Sequence, residues 1–94
     1  MKTITTRKLK YMPYAQAQVK LYEDVIILQS YATDVIIIDN GIMQVTGLYS
    51  MTSRKHISAF MREYYPQYGF KLCKECVEKD MIYDLTNDKP VLTL

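Results

Sequence analysis

Asn40-Gly41 stands between two runs rich in β-branched residues, Thr33 to Asp39 and Ile42 to Thr46, and constrains the fold more than any other pair in the chain. Both residues tolerate the positive φ that a type I′ turn requires at its two central positions, so the flanking runs are expected to close as a tight antiparallel hairpin. Similar runs at Gln18 to Tyr22 and Val25 to Tyr31 bring the expectation to three or four antiparallel strands in the first half of the chain. In Val25-Ile26-Ile27-Leu28 and Val35-Ile36-Ile37-Ile38 apolar residues occupy successive positions rather than alternate ones. That pattern predicts strands covered on both faces, by a helix or by a partner chain, and a homodimer would supply such cover.

After Gly47 the period changes. Ile57, Phe60, Met61 and Tyr64 fall at helical spacing, and Ser50, Thr52 or Ser53 can cap the first turn, which predicts a helix over about Ser53 to Tyr65. Pro66 disfavours helix at the residue before it, and Gly69 can supply the turn that follows. A shorter helix is expected over about Leu72 to Lys79, and Val91 to Leu94 reads as an edge strand after the polar turn Asn87-Asp88-Lys89-Pro90. The fold class is therefore α+β: one domain over residues 1–94, an antiparallel sheet of three to five strands in the N-terminal half, packed with one longer and one shorter C-terminal helix.

A chain of 94 residues supports a single core. Lys and Arg number 12 against 10 Asp and Glu, a net charge of +2, with basic clusters only at Arg7-Lys8-Leu9-Lys10 and Arg54-Lys55-His56. That balance does not favour a phosphate-backbone binder, which usually carries a more concentrated excess of cations. The first residues lack the apolar stretch of a secretory leader, and no apolar run approaches the ~20 residues needed to cross a bilayer. The chain is expected in the cytoplasm, with no membrane partner.

In that reducing compartment Cys73 and Cys76 are better read as thiols or metal ligands than as a disulfide. Thiolates at C-x-x-C spacing can close on one tetrahedral zinc ion. His56, the only histidine, would be the third ligand, and Asp80, Glu75 or a water the fourth. Such an ion would be structural, tying the second helix to the first. The alternative is two small thiols packed in a core. For His56 taken alone, the ordinary expectation is a polar interaction with the loop at Ser30 to Thr33. Nine tyrosines and no tryptophan make an aromatic set suited to contact surfaces. Tyr64, Tyr65 and Tyr68 are expected to form a surface patch, because adjacent helix residues cannot all face inward, with Arg54 and Lys55 as further partner contacts.

The order Ser30-Tyr31-x-Thr33-x-Val35, then Gly47-x-Tyr49-Ser50-x-Thr52-Ser53-x-x-His56-Ile57-x-x-Phe60, resembles a family of small uncharacterised proteins common in phages and mobile elements of Gram-positive bacteria. The resemblance covers about Ser30 to Phe60 and carries no established chemistry. What it implies is context: a non-enzymatic module that binds a host or effector protein in a bacterial cell, in its most specific form an anti-CRISPR inhibitor of a Cas nuclease. Two other readings stand beside it. One is a small nucleic-acid-binding protein using Arg7, Lys8, Lys10, Arg54 and Lys55 on phosphates and tyrosines on bases. The other is a small zinc-dependent hydrolase with an open coordination position.

Overall fold

The computed structural model describes residues 3–91. Seven strands form one antiparallel sheet in which spatial order equals chain order: β1 (Thr3–Arg7), β2 (Ala17–Tyr22), β3 (Val25–Ser30), β4 (Thr33–Asp39), β5 (Ile42–Val45), β6 (Ile82–Asp84) and β7 (Lys89–Val91). Two helices, α1 (Met51–Tyr64) and α2 (Gly69–Glu78), interrupt the meander between β5 and β6. The α+β class holds. The sheet has seven strands rather than three to five, because β1, β6 and β7 carry too little apolar patterning to stand out: β6 and β7 are three residues each. Residues 92–94 of the expected terminal strand lie outside the described residues. Pro90 sits in β7 at the edge of the sheet, where its missing N–H costs no ladder bond on the open side.

The hairpin signal is realised as expected. Asn40 and Gly41 adopt φ of 51° and 82°, and Asp39 pairs with Ile42 across the turn. A Cβ at Gly41 would also run into the hydroxyl of Thr86 in the neighbouring β6–β7 turn, so this glycine is required both by conformation and by close approach.

In the second of the doubly apolar runs, one of the successive apolar positions has a local cause. Leu28 pairs with Ile36 and Gln29 with Asp34, which leaves Val35 as the extra residue of a β-bulge. Val35 and Ile36 therefore both turn inward, and both are fully buried. Val19, Leu28, Ile38 and Met43 join them beneath Ile57, Phe60 and Met61 of α1 and Leu72, Cys73 and Cys76 of α2 in one core. Full burial of each large apolar side chain contributes about 1.5–3 kcal/mol. On the opposite face Lys20, Ile27, Ile37 and Gln44 form one cross-strand row, and the half-buried isoleucines there lie outside that core.

α1 begins where Ser50 Oγ accepts the Ser53 N–H at 3.1 Å. It ends at Tyr65, ahead of Pro66, as the sequence requires. No helix among the described residues is long and apolar enough to cross a membrane.

Candidate functional site

The strand order places the β1–β2 loop (residues 8–16), the β3–β4 turn at Tyr31-Ala32 and the β5–α1 loop (residues 46–50) at one end of the sheet. Neighbouring loops touch there, with the Tyr31 N–H donating to Gln16 O at 2.8 Å. The turns after β2, β4 and β6 gather at the other end, where the Asn40 N–H donates to Asp24 O and the Leu85 N–H to Gly41 O. The molecule thus has two poles of different chemistry.

At the first pole a buried polar chain locks helix to sheet. Ser30 Oγ, at the end of β3, lies 2.7 Å from Nδ1 of His56 and 3.0 Å from Ser53 Oγ, and Ser50 Oγ donates to Ser53 Oγ at 3.3 Å. Ser30 and His56 are each 1% exposed. One direction of donation satisfies every member: Ser50 to Ser53, Ser53 to Ser30, Ser30 to a neutral imidazole. Burial holds His56 below its ordinary pKa. Protonation would also turn Nδ1 into a donor and force the whole chain to reverse, with Ser30 donating to Ser53 and Ser53 to Ser50. The Tyr31 ring lies tilted against the imidazole with centroids 5.7 Å apart. The sequence expectation that His56 meets the Ser30 loop is what the structure shows. Almost wholly buried, the serine–imidazole pair acts as a tie between the β3–β4 turn and the first turns of α1.

Outside this lock the pole is open and aromatic. The exposed large hydrophobic residues among those described are Tyr11 (40%), Tyr14 (95%), Tyr31 (56%), Tyr49 (57%) and Met51 (70%), and all five belong to these loops or to the first residue of α1. Arg7, Lys8, Lys10, Arg54 and Lys55 share this end and are exposed. The Arg62 guanidinium sits 4.0 Å from the centre of the Tyr11 ring, with Lys10 Nζ at 5.4 Å, a cation–π pairing that fixes Tyr11. Arg7 leans toward Glu63 at 3.7 Å, and Glu63 also accepts the Lys10 N–H at 2.9 Å. Asp34 is paired with Lys20 at 3.0 Å. Arg54 and Lys55 border a shallow groove floored by Met12, Met51 and Phe70.

Five of the ten acidic residues, Glu23, Asp24, Asp39, Asp84 and Asp88, stand at or beside the turns of the second pole. Two of these are used internally. Asp84 accepts the N–H groups of Thr86 and Asn87, and Asp88 Oδ1 accepts the hydroxyls of Tyr68 and Tyr83. The Asn87 side-chain amide, donating to Asp84 Oδ2 at 2.8 Å, together with those backbone N–H groups lowers the Asp84 pKa, the two tyrosine hydroxyls lower that of Asp88, and the bond to Asp88 pushes the Tyr83 phenol up to about 12. The near-neutral total charge conceals this polarity.

The tyrosines singled out from the sequence lie elsewhere. Tyr64 stacks on Phe60 at 4.8 Å, Tyr65 tilts against the same ring, and Tyr68 meets Tyr83 edge-on, so all three are half-buried against the core rather than forming a surface patch. The chain leaves helical geometry at Tyr65, with φ of −139°, and this turn lets adjacent aromatics face the same interior.

The four residues expected to hold zinc are not brought together either. Cys73 and Cys76, 0% and 2% exposed, lie inside α2 and face the core. His56 is engaged with Ser30, and Asp80 is exposed beyond the end of α2. Among the described residues no three of His, Cys, Asp and Glu form a group that could hold a metal ion. Burial pushes the Cys73 thiol up to about 12 and Cys76 to about 11. At i and i+3 of α2 both cysteines are buried in the packed core.

A family model described as a family of unknown function, DUF8033, matches residues 2–79. The chain belongs to this family. The match spans β1 to α2, so the DUF8033 unit contains both the serine–imidazole lock and the aromatic pole. No curated protein and no solved structure matches the chain.

Proposed function

We propose that this DUF8033 protein is a non-enzymatic binding module whose working surface is the tyrosine-bearing, cationic pole formed by the β1–β2 loop, the β3–β4 turn and the start of α1. The observation that carries the reading is the concentration of exposed Tyr11, Tyr14, Tyr31, Tyr49 and Met51 in one set of loops beside Arg7, Lys8, Lys10, Arg54 and Lys55. Exposed aromatics and arginines are the groups that anchor interfaces, and cations set the sign of the partner. The partner is accordingly acidic. Loops held on a rigid sheet are where binding residues concentrate, and the lock at Ser30 and His56 supplies that rigidity.

The test is affinity capture on the tagged chain, with and without nuclease, using the wild type beside a Lys8→Glu/Tyr14→Ala variant. Partners retained by the wild type and lost by the variant support the reading. Equal capture by both would remove the pole from consideration.

A second reading has its own observation. Glu23, Asp24 and Asp39 are exposed together at the opposite pole, and a Cas nuclease holds its nucleic acid in a positively charged channel. An inhibitor of the anti-CRISPR type would present that acidic end. Its signature is loss of nuclease inhibition on neutralising Glu23, Asp24 and Asp39 while the Lys8→Glu/Tyr14→Ala variant retains it.

A further inference from the structure

We infer that the groove between the β1–β2 loop and Tyr31 is a seat for single-stranded nucleic acid, with Tyr14 and Tyr31 as stacking surfaces and Lys8 as a phosphate contact. The inference rests on the cationic pole being the working surface and names what it takes. The groove, about 620 Å³, is lined by Arg7, Lys8, Tyr14, Gln16, Gln18 and Tyr31 among others, and no carboxylate borders it.

Three features point to this chemistry. Tyr14 is 95% exposed, so its ring buries almost nothing within the chain and both of its faces are open to a ligand. Tyr31 is held at a φ of 55°, a left-handed conformation costly for a bulky residue, by its N–H bond to Gln16 O and by the Gln29 side-chain amide donating to its carbonyl at 2.9 Å. The chain therefore maintains a strained backbone at the residue that forms one border of the groove. Lys8 makes no ion pair among the described residues, whereas Arg7 is partly neutralised by Glu63, so the groove offers one full cation and one shared one. The side-chain amide of Gln16 adds a donor and an acceptor suited to base edges, whereas that of Gln18 is bonded to Gln29 at 3.1 Å. Aromatic faces beside a cation in an open groove take unpaired bases, because stacking tolerates any base while the cation follows the backbone. A duplex keeps its base faces stacked on one another and denies the tyrosines their contact.

The experiment is fluorescence anisotropy with fluorescein-labelled oligothymidylate and oligouridylate of about 12 nucleotides, within the usual range of site sizes, and a mixed-sequence duplex of the same length. Either single strand binding more tightly than the duplex supports the inference. With the groove's two cations engaged, affinity should fall roughly 7-fold between 50 and 200 mM salt, and Lys8→Glu should shallow that dependence. Tyr14→Ala, at a site too exposed to disturb folding, should weaken binding about 5- to 150-fold. Affinity unchanged by Tyr14→Ala, a duplex bound as tightly as the single strand, or no binding at low salt would overturn it. If the oligonucleotides fail while nuclease-resistant capture is still lost in the Lys8→Glu/Tyr14→Ala variant, the nucleic-acid assignment falls and the binding-module reading stands. If capture is unaffected as well, both fall.

Discussion

Replacing Ser30 by alanine removes the one hydroxyl that joins the imidazole to the serine chain. Ser30 Oγ lies 2.7 Å from His56 Nδ1 and 3.0 Å from Ser53 Oγ, and all three residues are buried. The substitution strands the Nδ1 lone pair, while Ser53 Oγ keeps its 3.3 Å bond to Ser50 Oγ. A polar group left unpaired in the interior costs about 1–3 kcal/mol, which is the expected loss. Against the ~5–14 kcal/mol typical of a chain this long, that is a large fraction. Thermal denaturation should shift down by roughly 4–24 °C, at ~4–8 °C per kcal/mol for a domain of this size. The same substitution made on top of His56→Leu should cost about 1 kcal/mol less or better, since the stranded group no longer exists. The pH dependence supplies an independent check. Burial lowers the folded-state pKa of His56, so the unfolded chain takes up a proton near pH 6.5 that the native protein resists. The stabilisation is complete above about pH 6.5 and is lost as pH falls through the folded-state value, with a slope of up to about 1.4 kcal/mol per pH unit. With only one histidine in the chain, His56→Leu should flatten that window. A Ser30→Ala loss below about 0.5 kcal/mol, or an unchanged slope in His56→Leu, would refute the lock.

Cys73 and Cys76, with thiols raised to about 12 and about 11, should react slowly with iodoacetamide at pH 8 in the native protein and rapidly in urea, as followed by mass spectrometry; rapid native labelling would contradict their packing. Metal analysis of protein purified without chelator should find zinc well below one ion per chain, whereas stoichiometric zinc would show that the helical placement of the two cysteines is not the whole account. Gly41→Ala should destabilise the protein by about 1–3 kcal/mol in urea denaturation, from the positive φ and the collision with Thr86; a neutral result would mean that the two turns can separate freely.

Much of the central fold was legible because its signals are local. The runs at Gln18–Tyr22, Val25–Tyr31, Thr33–Asp39 and Ile42–Thr46 correspond to β2 through β5 within a residue or two, and the first helix begins one turn from Ser50, its actual cap. β6 stayed hidden since three residues cannot display a period, and β1 since Thr3–Arg7 is polar at most positions. Val35 misled for a physical reason: a bulge turns two neighbours to one face, which imitates a strand buried on both. The candidate site was less legible. Tyr11, Tyr14, Tyr31 and Tyr49 are scattered through the sequence, and only the alternation of strand directions reveals that their loops share an end. Tyr64, Tyr65 and Tyr68, adjacent in the chain, looked like a patch because the break in helical geometry at Tyr65 leaves no sequence signal beyond Pro66.

The coincidence of chain order and sheet order carries a consequence for how the molecule forms. Each strand needs only its predecessor, so the Asn40-Gly41 turn can nucleate a hairpin to which β3 and then β2 add by closing short loops. Long closures belong to α1 and to β6: Ser30 to His56 spans 26 positions, Lys10 to Glu63 spans 53, and Ile42 pairs with Asp84 across both helices. Assembly of β2 through β5 therefore precedes the docking of α1 and the addition of β6. On this route the loops at the first pole acquire their final geometry last, when His56 reaches Ser30.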